Sequence, residues 1–368
     1  MTKKLRTGFT TGTAAAAATK GALLMILEKK APSQVSITLL TGDTLKLKIH
    51  SCKLDDAAKA TCTVIKDAGD DPDVTHNAEI GAKVRLIRSD DRLNRESKAK
   101  VLITGGEGVG RVTKPGLEVL PGDPAINPGP RKMITQAVDD VLHEHALQHP
   151  VQVEIFVLQG KKLAEKTLNA RLGILNGLSI LGTTGIVRPM SHDAFTATIK
   201  SALSIAQASG LDHVILTTGR RSERFAQTYW SQLPEEAFIQ IGDFFKMSLQ
   251  FASEKRLMNI SLAVFFGKAI KMAQGMAHTH AAKASLRLDK LSEWAEKVTR
   301  DRAFSQHIRT ANTARHAFEI IQKKYPEVIF YVGKQIIKSA KSFSHSKANF
   351  RSVIFDYTGA VVFDSAKS

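Results

Sequence analysis

The feature that most constrains the fold of this chain is an alternation of strand-like and helix-like patterns that repeats four times in its central part. Consecutive parallel strands need a crossover connection, so this alternation predicts a parallel sheet with helices packed on its faces. Strands are predicted at residues 179–187, 213–217, 237–241 and 259–266, each followed by a helix. Together with a strand at 151–158, they predict an α/β Rossmann-like domain with a mostly parallel sheet at 151–285.

The carboxyl end of each of the four predicted strands carries glycine beside a hydroxyl or a charged side chain. These ends are Gly182-Thr183-Thr184-Gly185, Thr217-Thr218-Gly219-Arg220, Gly242-Asp243 and Gly267-Lys268. One such glycine is routine at a strand-to-helix turn. Ligands of open α/β sheets bind at the carboxyl ends of the strands, however, so the four ends together predict a ligand cleft.

The first part of the chain predicts an α+β N-terminal domain at 1–150 with a largely antiparallel sheet. It contains an alanine-rich helix at 13–30, a hairpin that turns at Thr41-Gly42-Asp43, and strands at 60–66, 78–88 and 99–104. Thr10 or Thr11 can cap the helix. Because Arg6 precedes this helix start, the pattern fits either an anion site at Thr10 and Thr11 or a capped core helix.

A glycine- and proline-rich loop at 104–131 holds seven of the 25 glycines and five of the 11 prolines. Loops this long are usually functional or linkers, and the varied charged content argues against a linker. The run from Gly106 to Gly110 fails as a dinucleotide fingerprint, because Pro115 denies the helix that must follow. The stretch is therefore either structural or an anion-binding loop that covers a substrate. The candidate contacts are Gly106, Glu107, Gly108, Arg111, Lys114 and Arg131.

An acidic cluster at 67–76 stands out in this basic chain. It contains Asp67, Asp70, Asp71, Asp73 and His76. The spacing does not match a calcium loop, which disfavours a metal site. Asp-Asp-Pro-Asp is also ordinary turn chemistry. The alternative is that Asp67, Asp73 or His76 acts in catalysis or orders a substrate.

The charge balance favours a polyanionic partner: 52 Lys and Arg against 35 Asp and Glu give a net charge of +17. A solvated basic surface with no specific partner is the alternative, since the basic residues are spread along the chain. No apolar run is long enough for a membrane span, and the N-terminus shows no cleavage site. Cys52 and Cys62 lack metal-motif spacing and are too few for a disulfide framework, which indicates a cytoplasmic protein.

Residues 286–368 are predicted to close the fold with C-terminal helices and strands. Helices are expected near 288–300 and 312–324, followed by a strand at 328–332 and a hairpin about Thr358-Gly359. Just before this region, His278 and His280 do not share a helix face and no zinc motif surrounds them. A substrate contact through Thr279 and His280 is the alternative.

Several long, irregular segments together resemble one family, the cobalt-precorrin-5B C(1)-methyltransferases of anaerobic cobalamin biosynthesis. The segments are GFTTGTAAAAATK (8–20), VIKDAGDDPDVTHNAEI (64–80), TGGEGVGRVTKPGL (104–117), PGDPAINPGPRKMI (121–134), TLNARLGILNGLSILGTTGIVRPMS (167–191), ILTTGRRSERFA (215–226), LPEEAFIQIGDF (233–244) and GKAIKMAQGMAHTH (267–280). The chain departs from the family at Ala14, Asn77, Ala170 and Phe266, where Cys, Gly, Pro and Pro are usual, and it is less typical beyond residue 286. These departures leave an altered subgroup open.

The resemblance implies a methyltransferase that transfers a methyl group from S-adenosylmethionine to ring carbon C-1 of cobalt-precorrin-5B, giving cobalt-precorrin-6A. Cobalt is then part of the substrate and no protein metal site is expected. The acetate and propionate groups of such a precursor make it a polyanion, which accounts for the basic charge.

Residue roles follow from the strand-end argument combined with the resemblance. The expected cofactor-binding residues are Gly182, Thr183, Thr184, Gly185, Thr218, Gly219 and Asp243. The expected substrate-binding residues are Thr10, Thr11, Gly106, Glu107, Gly108, Arg111, Lys114, Arg131, Arg220, Lys268 and His280. The candidate bases are His76, Asp67 and Asp243.

Two other functions compete with this one. A phosphate- or nucleotide-handling enzyme would use the loop from Gly106 to Gly110. A nucleic-acid-binding protein would explain the net charge, but the aromatic content is only 6% and no binding module is recognisable, so no nucleic-acid partner is expected. A homo-oligomer stays open.

Overall fold

The structure is a computed structural model, and it describes residues 5–87, 100–280 and 288–367. The chain divides into two compact units, Met1–Ser191 and His192–Ser368. No helix within the described ranges is long and apolar enough to cross a membrane. Both units mix helices with strands, and their sheets combine parallel and antiparallel pairs.

The first unit is built on a five-stranded sheet in the order β4-β5-β6-β9-β7. Its strands are β4 (Ser51–Asp56), β5 (Lys59–Ile65), β6 (Glu79–Leu86), β7 (Val101–Gly105) and β9 (Val151–Val157). Three neighbouring pairs are antiparallel and only β7 with β9 is parallel. The largely antiparallel sheet is thus confirmed; residues 88 and 99 of the predicted strands lie outside the described residues.

Two helices cover one face of this sheet. They are α1 (Thr11–Glu28) and α2 (Pro128–Glu144). Five consecutive alanines of α1, Ala14 to Ala18, have no exposed surface. Because alanine adds little bulk, α1 can lie against the sheet on one side and α2 on the other. The opposite face of the sheet carries polar pairs such as Lys83 with Glu154, 2.9 Å apart, as expected for an antiparallel sheet with one solvated face.

Short elements complete the first unit. A separate hairpin pairs β2 (Gln34–Thr38) with β3 (Thr44–Lys48), as predicted. Two-residue strands pair β1 (Gly8–Phe9) with β11 (Ile186–Val187), and β8 (Arg111–Val112) with β10 (Ile174–Leu175). A one-turn helix, α3, covers Gly160–Ala164.

The predicted domain boundary after residue 150 differs from the structure. β9, which begins at Val151, is hydrogen-bonded between β6 and β7 in the middle of the first sheet. The predicted strand at 179–187 is also wrong as a member of the parallel sheet, because its only strand is Ile186–Val187, which pairs with β1, and Ile180 forms an isolated bridge with Ile126. The alternation of hydrophobic residues correctly predicted a strand at 151–157, but it could not show which sheet that strand joins.

The second unit contains a five-stranded sheet in the order β13-β12-β14-β15-β16. The strands are β12 (His213–Thr217), β13 (Phe238–Gln240), β14 (Asn259–Phe265), β15 (Asn349–Phe355) and β16 (Val361–Asp364). The first four in this order are parallel, and only β16 is antiparallel. Neighbouring residues of β12 face different cores: Val214 and Leu216 belong to one and Ile215 to the other.

Eight α-helices belong to the described part of the second unit. They are α4 (His192–Ala208), α5 (Arg220–Tyr229), α6 (Phe245–Glu254), α7 (Phe266–Ala273), α8 (Leu288–Thr299), α9 (Arg302–Arg309), α10 (Ala314–Lys324) and α11 (Glu327–Ser344). The predicted strand at 328–332 is wrong, because these residues lie in α11. The predicted closing region is not separate either, since β15 pairs with β14 along its whole length. The boundary predicted at 285/286 lies outside the described residues.

The two cysteines form a disulfide between β4 and β5, where Cys52 and Cys62 are direct cross-strand partners. The sequence did not predict this bond, because two cysteines ten residues apart carry no signal of it.

A buried ion pair joins the last two strands of the second sheet. Arg351 of β15 donates to Asp364 of β16, which also accepts from the hydroxyl of Tyr229 at 2.6 Å and from the amide of Ala366 at 2.9 Å. The Asp364 side chain is only 2% exposed. Burial alone would raise the pKa of Asp364, but the hydrogen bonds from Arg351 and Tyr229 outweigh it and lower that pKa to about 2.

We expect Asp364→Asn to lower the free energy of unfolding at pH 7 by about 3 kcal/mol, because Arg351 then loses its buried counterion. The pKa of Asp364 is lower in the folded state, so the carboxylate stabilises the fold above about pH 4. This stabilisation is lost as the pH falls toward the folded pKa of about 2. Urea unfolding of both proteins at several pH values should show the difference narrowing in acid.

Glu293→Gln is the control for this experiment. Glu293 pairs with Lys290 on the surface of α8, with both side chains more than half exposed. Its loss should change the unfolding free energy by less than about 0.5 kcal/mol. Equal effects of the two substitutions would contradict a stabilising role for the buried pair.

Candidate functional site

The parallel sheet of the second unit has a topological switch point at β12. The chain runs from β12 to β13 on one side and then returns to β14 on the other side of β12. In open α/β sheets the crevice for a ligand forms where the strand order reverses, outside the carboxyl ends. The residues that follow β12, β13 and β14 therefore define the candidate site of this unit.

Asp243 is the best-anchored side chain at this edge. Its Oδ1 accepts hydrogen bonds from the ammonium group of Lys268 and, at 2.8 Å, from the hydroxyl of Thr279. The backbone adds a bond from the amide of Thr279 to the carbonyl of Asp243. Within the described residues no hydrogen bond reaches Oδ2 of Asp243. One carboxylate oxygen is thus fixed and the other can accept from a ligand.

The environment of Asp243 keeps it ionised. Burial would raise the pKa of this carboxyl group, but the hydrogen bonds from Lys268 and Thr279 outweigh burial and the pKa is lowered. A carboxylate with a lowered pKa is a weak base and a good hydrogen-bond acceptor. The structure therefore favours Asp243 as an acceptor for hydroxyl groups over Asp243 as a general base.

A second lysine, Lys271, helps to hold the segment that contains Thr279. Lys271 is only 7% exposed, and its ammonium donates to the carbonyl of Thr279 at 3.1 Å. Burial and the nearby charge of Lys268 lower the pKa of Lys271. Sequence reasoning missed Lys271. The available signal was its spacing from Lys268, because residues three apart share a helix face.

The turn after β12 is held by hydrogen bonds to Ser222 of the following helix, α5. Ser222 accepts a hydrogen bond from the amide of Thr218 and donates one to the carbonyl of Gly219. Arg220, a predicted substrate contact, is exposed at the first position of α5. His280 is exposed at the end of the segment that holds Asp243. The second unit thus contains these predicted site residues: Thr218, Gly219, Asp243, Lys268 and His280.

The predicted cofactor residues Gly182, Thr183, Thr184 and Gly185 do not follow a strand of the parallel sheet. They lie in the first unit, where the carbonyl of Gly185 accepts from the amide of Thr10 and the hydroxyl of Thr13. This loop therefore caps the start of α1. The strand-end argument for a cofactor role fails here, because the strand on which it depended is absent.

Thr10 and Thr11 are buried, with 6% and 3% exposure. The Thr10 hydroxyl caps α1 by accepting from the amide of Thr13, and the Thr11 hydroxyl donates to the carbonyl of Leu181. Their hydroxyl groups hold the helix start and its neighbouring loop together. The structure supports the capped core helix that the sequence left open.

The loop from Gly106 to Gly110 uses its amide groups within the fold. Gly106 donates to the carbonyl of Ile155, Val109 to that of Gly106, and Gly110 to that of Leu178. Glu107 is exposed, while its carbonyl accepts from the amide of Val157. Three of the five amides from Gly106 to Gly110 are bonded in this way and cannot cradle a phosphate, which weakens the case for the nucleotide-handling alternative at this loop.

The same long loop lines a cleft of about 550 Å³ in the first unit. Two predicted substrate contacts, Arg111 and Arg131, line it, together with Glu118 and Asp123. The guanidinium groups donate to backbone carbonyls: Arg111 to Gly122, and Arg131 to Ile126 at 2.9 Å. Within the described residues neither guanidinium is in an ion pair, so each can bind a carboxylate group of a ligand, while Glu118 and Asp123 balance the net charge of the cleft.

The other predicted contacts of this loop do not line the cleft. They are Gly106, Glu107, Gly108 and Lys114. Lys114 instead lies against Gly173.

The acidic cluster of the first unit is tied to the N-terminal segment. Arg6 forms two hydrogen bonds with Asp67, which lower the pKa of that carboxyl group. The Nδ1 atom of His76 accepts from the amide of Ala68 at 3.1 Å. Lys66 is 1% exposed and pairs with Asp73 at 2.6 Å, which makes Asp73 structural. Among the described residues, no three His, Cys, Asp or Glu side chains are grouped to hold a metal ion.

The second unit has an α/β fold with an open, mostly parallel sheet. Proteins of this class bind ligands at the carboxyl edge of the sheet. Comparison with known families identifies the chain further. The family model CbiD matches residues 1–189, and that of the CbiD C-terminal domain matches residues 278–366. The chain belongs to the CbiD family, and the resemblance seen in the sequence is confirmed.

Curated relatives carry the name cobalt-precorrin-5B C(1)-methyltransferase. The protein of Geobacter metallireducens is 43% identical and aligns over 86% of this chain and 88% of its own length. That of Geobacillus kaustophilus is 43% identical over 87% of this chain and 84% of its own. A crystal structure of the cobalamin biosynthesis protein cbiD from Archaeoglobus fulgidus is 25% identical over 73% of this chain and 79% of that chain, with a TM-score of 0.39, too low to assign a fold.

Proposed function

We propose that this protein transfers a methyl group from S-adenosylmethionine to ring carbon C-1 of cobalt-precorrin-5B and so forms cobalt-precorrin-6A. The observation that carries this proposal is the extent of similarity to curated relatives of that name, which covers at least 86% of this chain in the two proteins described above. The cobalt belongs to the substrate. The methyltransferase activity predicted from the sequence is supported in the same way.

We infer that the donor binds at the carboxyl edge of the Rossmann-like second unit. In Rossmann folds, the turn after the central strand approaches the ligand, and an acidic residue about 20 positions later accepts the ribose hydroxyls. Thr218 and Gly219 form that turn here, and Asp243 is the acidic residue after the neighbouring strand β13. Its Oδ2 is the expected acceptor, while Lys268 and Thr279 hold Oδ1 in place.

The bound donor supplies a methyl group on a positively charged sulfur. The protein must align the acceptor carbon with that methyl group and exclude water, because the transfer is an in-line displacement. No nucleophilic side chain is required. The contribution of Lys268, Lys271 and Thr279 is a fixed Asp243, so that the ribose has one favoured position.

Two of the three candidate bases are weak ones. Asp67 and Asp243 both have lowered pKa values. The Nδ1 of His76 is held as an acceptor by Ala68, so the neutral ring carries its proton on Nε2 and acts there as a donor. We propose that His76 donates a hydrogen bond to an acidic group of the substrate.

We propose that Arg111 and Arg131 bind acetate or propionate groups of the corrinoid in the cleft of the first unit. Arg131→Met, which keeps the length of the side chain, should weaken binding of the cobalt corrinoid about tenfold through loss of a charge-assisted hydrogen bond. The dependence of affinity on salt should decrease in parallel. Fluorescence or absorbance titration at two ionic strengths measures both effects.

Lys132→Met is the matched control, since Lys132 is the next residue on α2 and does not line the cleft. An equal loss of affinity in both variants would indicate a general effect of charge and contradict a specific role of the cleft.

Calorimetric titration with S-adenosylmethionine and S-adenosylhomocysteine tests the function directly. We expect both to bind, with or without a cobalt corrinoid present, and ATP, NAD and a short DNA duplex not to bind. Turnover of the corrinoid would then complete the test. Binding of ATP or the duplex, with no response to either adenosyl ligand, would contradict the proposal.

A further inference from the structure

Two phenylalanine rings lie beside the stretch of backbone that carries Asp243. Phe195 on α4 and Phe244 are stacked, with ring centroids 5.3 Å apart and planes 23° from parallel. Phe195 is 42% exposed, so a large part of this aromatic surface faces outward. A single exposed phenylalanine needs no explanation, but here the exposed ring is stacked on Phe244 and lies close to Gly242, the two residues that flank an anchored aspartate, which places an aromatic face and a carboxylate in the same turn.

The backbone around Asp243 is shaped to admit these rings. Phe244 follows Asp243 directly, and the tip of the Phe195 ring lies over the preceding Gly242. A Cβ on Gly242 would be 3.0 Å from that ring, and the residue has a φ of +54°. Glycine at this position thus lets Phe195 lie close to the chain beside the carboxylate.

Two histidine rings pack against Phe244. The ring of His192 meets Phe244 edge-on at 5.2 Å, and that of His278 does so at 4.9 Å. His278 directly precedes Thr279, whose hydroxyl holds Asp243. The segment that fixes the carboxylate therefore also fixes the position of Phe244.

The chemistry of this surface matches a nucleoside. Purines stack on aromatic side chains through their flat faces, and the ribose attached to a purine presents hydroxyl donors within a few ångströms of the ring. The stacked pair supplies an aromatic face for the purine, and Oδ2 of Asp243 supplies an acceptor for the ribose hydroxyl groups. A protein partner would also cover an apolar surface, but it gives no reason for an anchored carboxylate at its border.

We propose that Phe195 and Phe244 form the adenine-binding surface of the donor site. This inference rests on the proposed function, because it requires an adenosyl donor whose ribose is bound by Asp243. It assigns base recognition to aromatic side chains outside the predicted strand ends.

Calorimetric titration with S-adenosylhomocysteine tests the proposal. Phe195→Ala should weaken binding on the order of tenfold, because one stacked ring is removed. Phe330→Ala is the matched control, since Phe330 on α11 is 41% exposed and its ring lies 5.6 Å from that of Phe363 on β16. We expect the control to bind as the unsubstituted protein does.

A second measurement needs no substitution. Irradiation of the unsubstituted protein with 8-azido-S-adenosylmethionine should attach the label to peptides that contain Phe195 or Phe244. Labels found only elsewhere, or equal affinity in Phe195→Ala and the control, would overturn the inference and leave the methyltransferase proposal standing. Failure of S-adenosylhomocysteine to bind the unsubstituted protein, even with a cobalt corrinoid present, would overturn both.

Discussion

Asp243→Asn is expected to weaken binding of S-adenosylhomocysteine by about tenfold to a hundredfold. Hydrogen bonds to a charged acceptor contribute about 1.5 to 3 kcal/mol, and asparagine keeps the shape of the side chain while removing the charge. The lowered pKa of Asp243 adds a second expectation. Because the carboxylate stays ionised until the solution is strongly acidic, this residue should give no change in affinity between pH 6 and 9. Calorimetry across that range measures both.

Asp212→Asn controls for a general effect of charge. Asp212 precedes β12 and so lies at the amino end of the same sheet, where its carboxylate accepts from Asn259. Its loss should leave affinity unchanged. Equal weakening in the two variants would show that the carboxyl edge is not the donor site, and an unchanged Asp243→Asn would exclude the proposed ribose contact.

Gly108→Ala is expected to lower the free energy of unfolding by about 3 kcal/mol or more, through overpacking and left-handed strain together. Gly108 has a φ of +72°, and a Cβ there would overlap the carbonyl oxygen of Val157. Gly160 and Gly177 pack against Gly108 in turn, so the three backbones approach each other where no side chain fits. Urea unfolding followed by circular dichroism measures the loss.

Gly122→Ala separates strain from overlap. Gly122 lies in the same long loop with a φ of +95°, but a Cβ there would meet no atom within 4 Å. We expect a cost of only about 1 to 2 kcal/mol from the left-handed backbone. If both substitutions cost the same, close packing at Gly108 contributes nothing and the account of this loop is wrong.

Local pattern predicted most elements of the fold. The hairpin at Thr41-Gly42-Asp43 and the helix after Thr10 follow from turn and capping residues, whose signals are contained within a few positions. The strand–helix alternation after residue 191 likewise gave the parallel strands β12, β13 and β14. Asp243 was predicted as a site residue because a strand end is visible in sequence.

The sequence could not predict which distant segments of the chain pair with each other. Nothing in 151–157 says that this strand inserts between β6 and β7, and nothing in Gly182 to Gly185 says that this loop caps α1. The glycines from Gly106 to Gly110 were predicted to bind a ligand, because a sequence shows that the backbone at a glycine can be approached closely. It does not show whether a ligand or another segment of the same chain makes that approach. Phe195 was missed for the same reason.

The position of β15 has a consequence for how the protein is made. β15 pairs with β14, yet five helices of the described residues, α7 to α11, lie between them in the chain. A ribosome therefore releases β12, β13 and β14 well before the neighbour that completes their hydrogen bonding. Until then the outer edge of β14 is an open template for other strands. The second unit thus forms late and through long-range contacts, so slow synthesis or truncation before residue 349 should favour aggregation or chaperone binding.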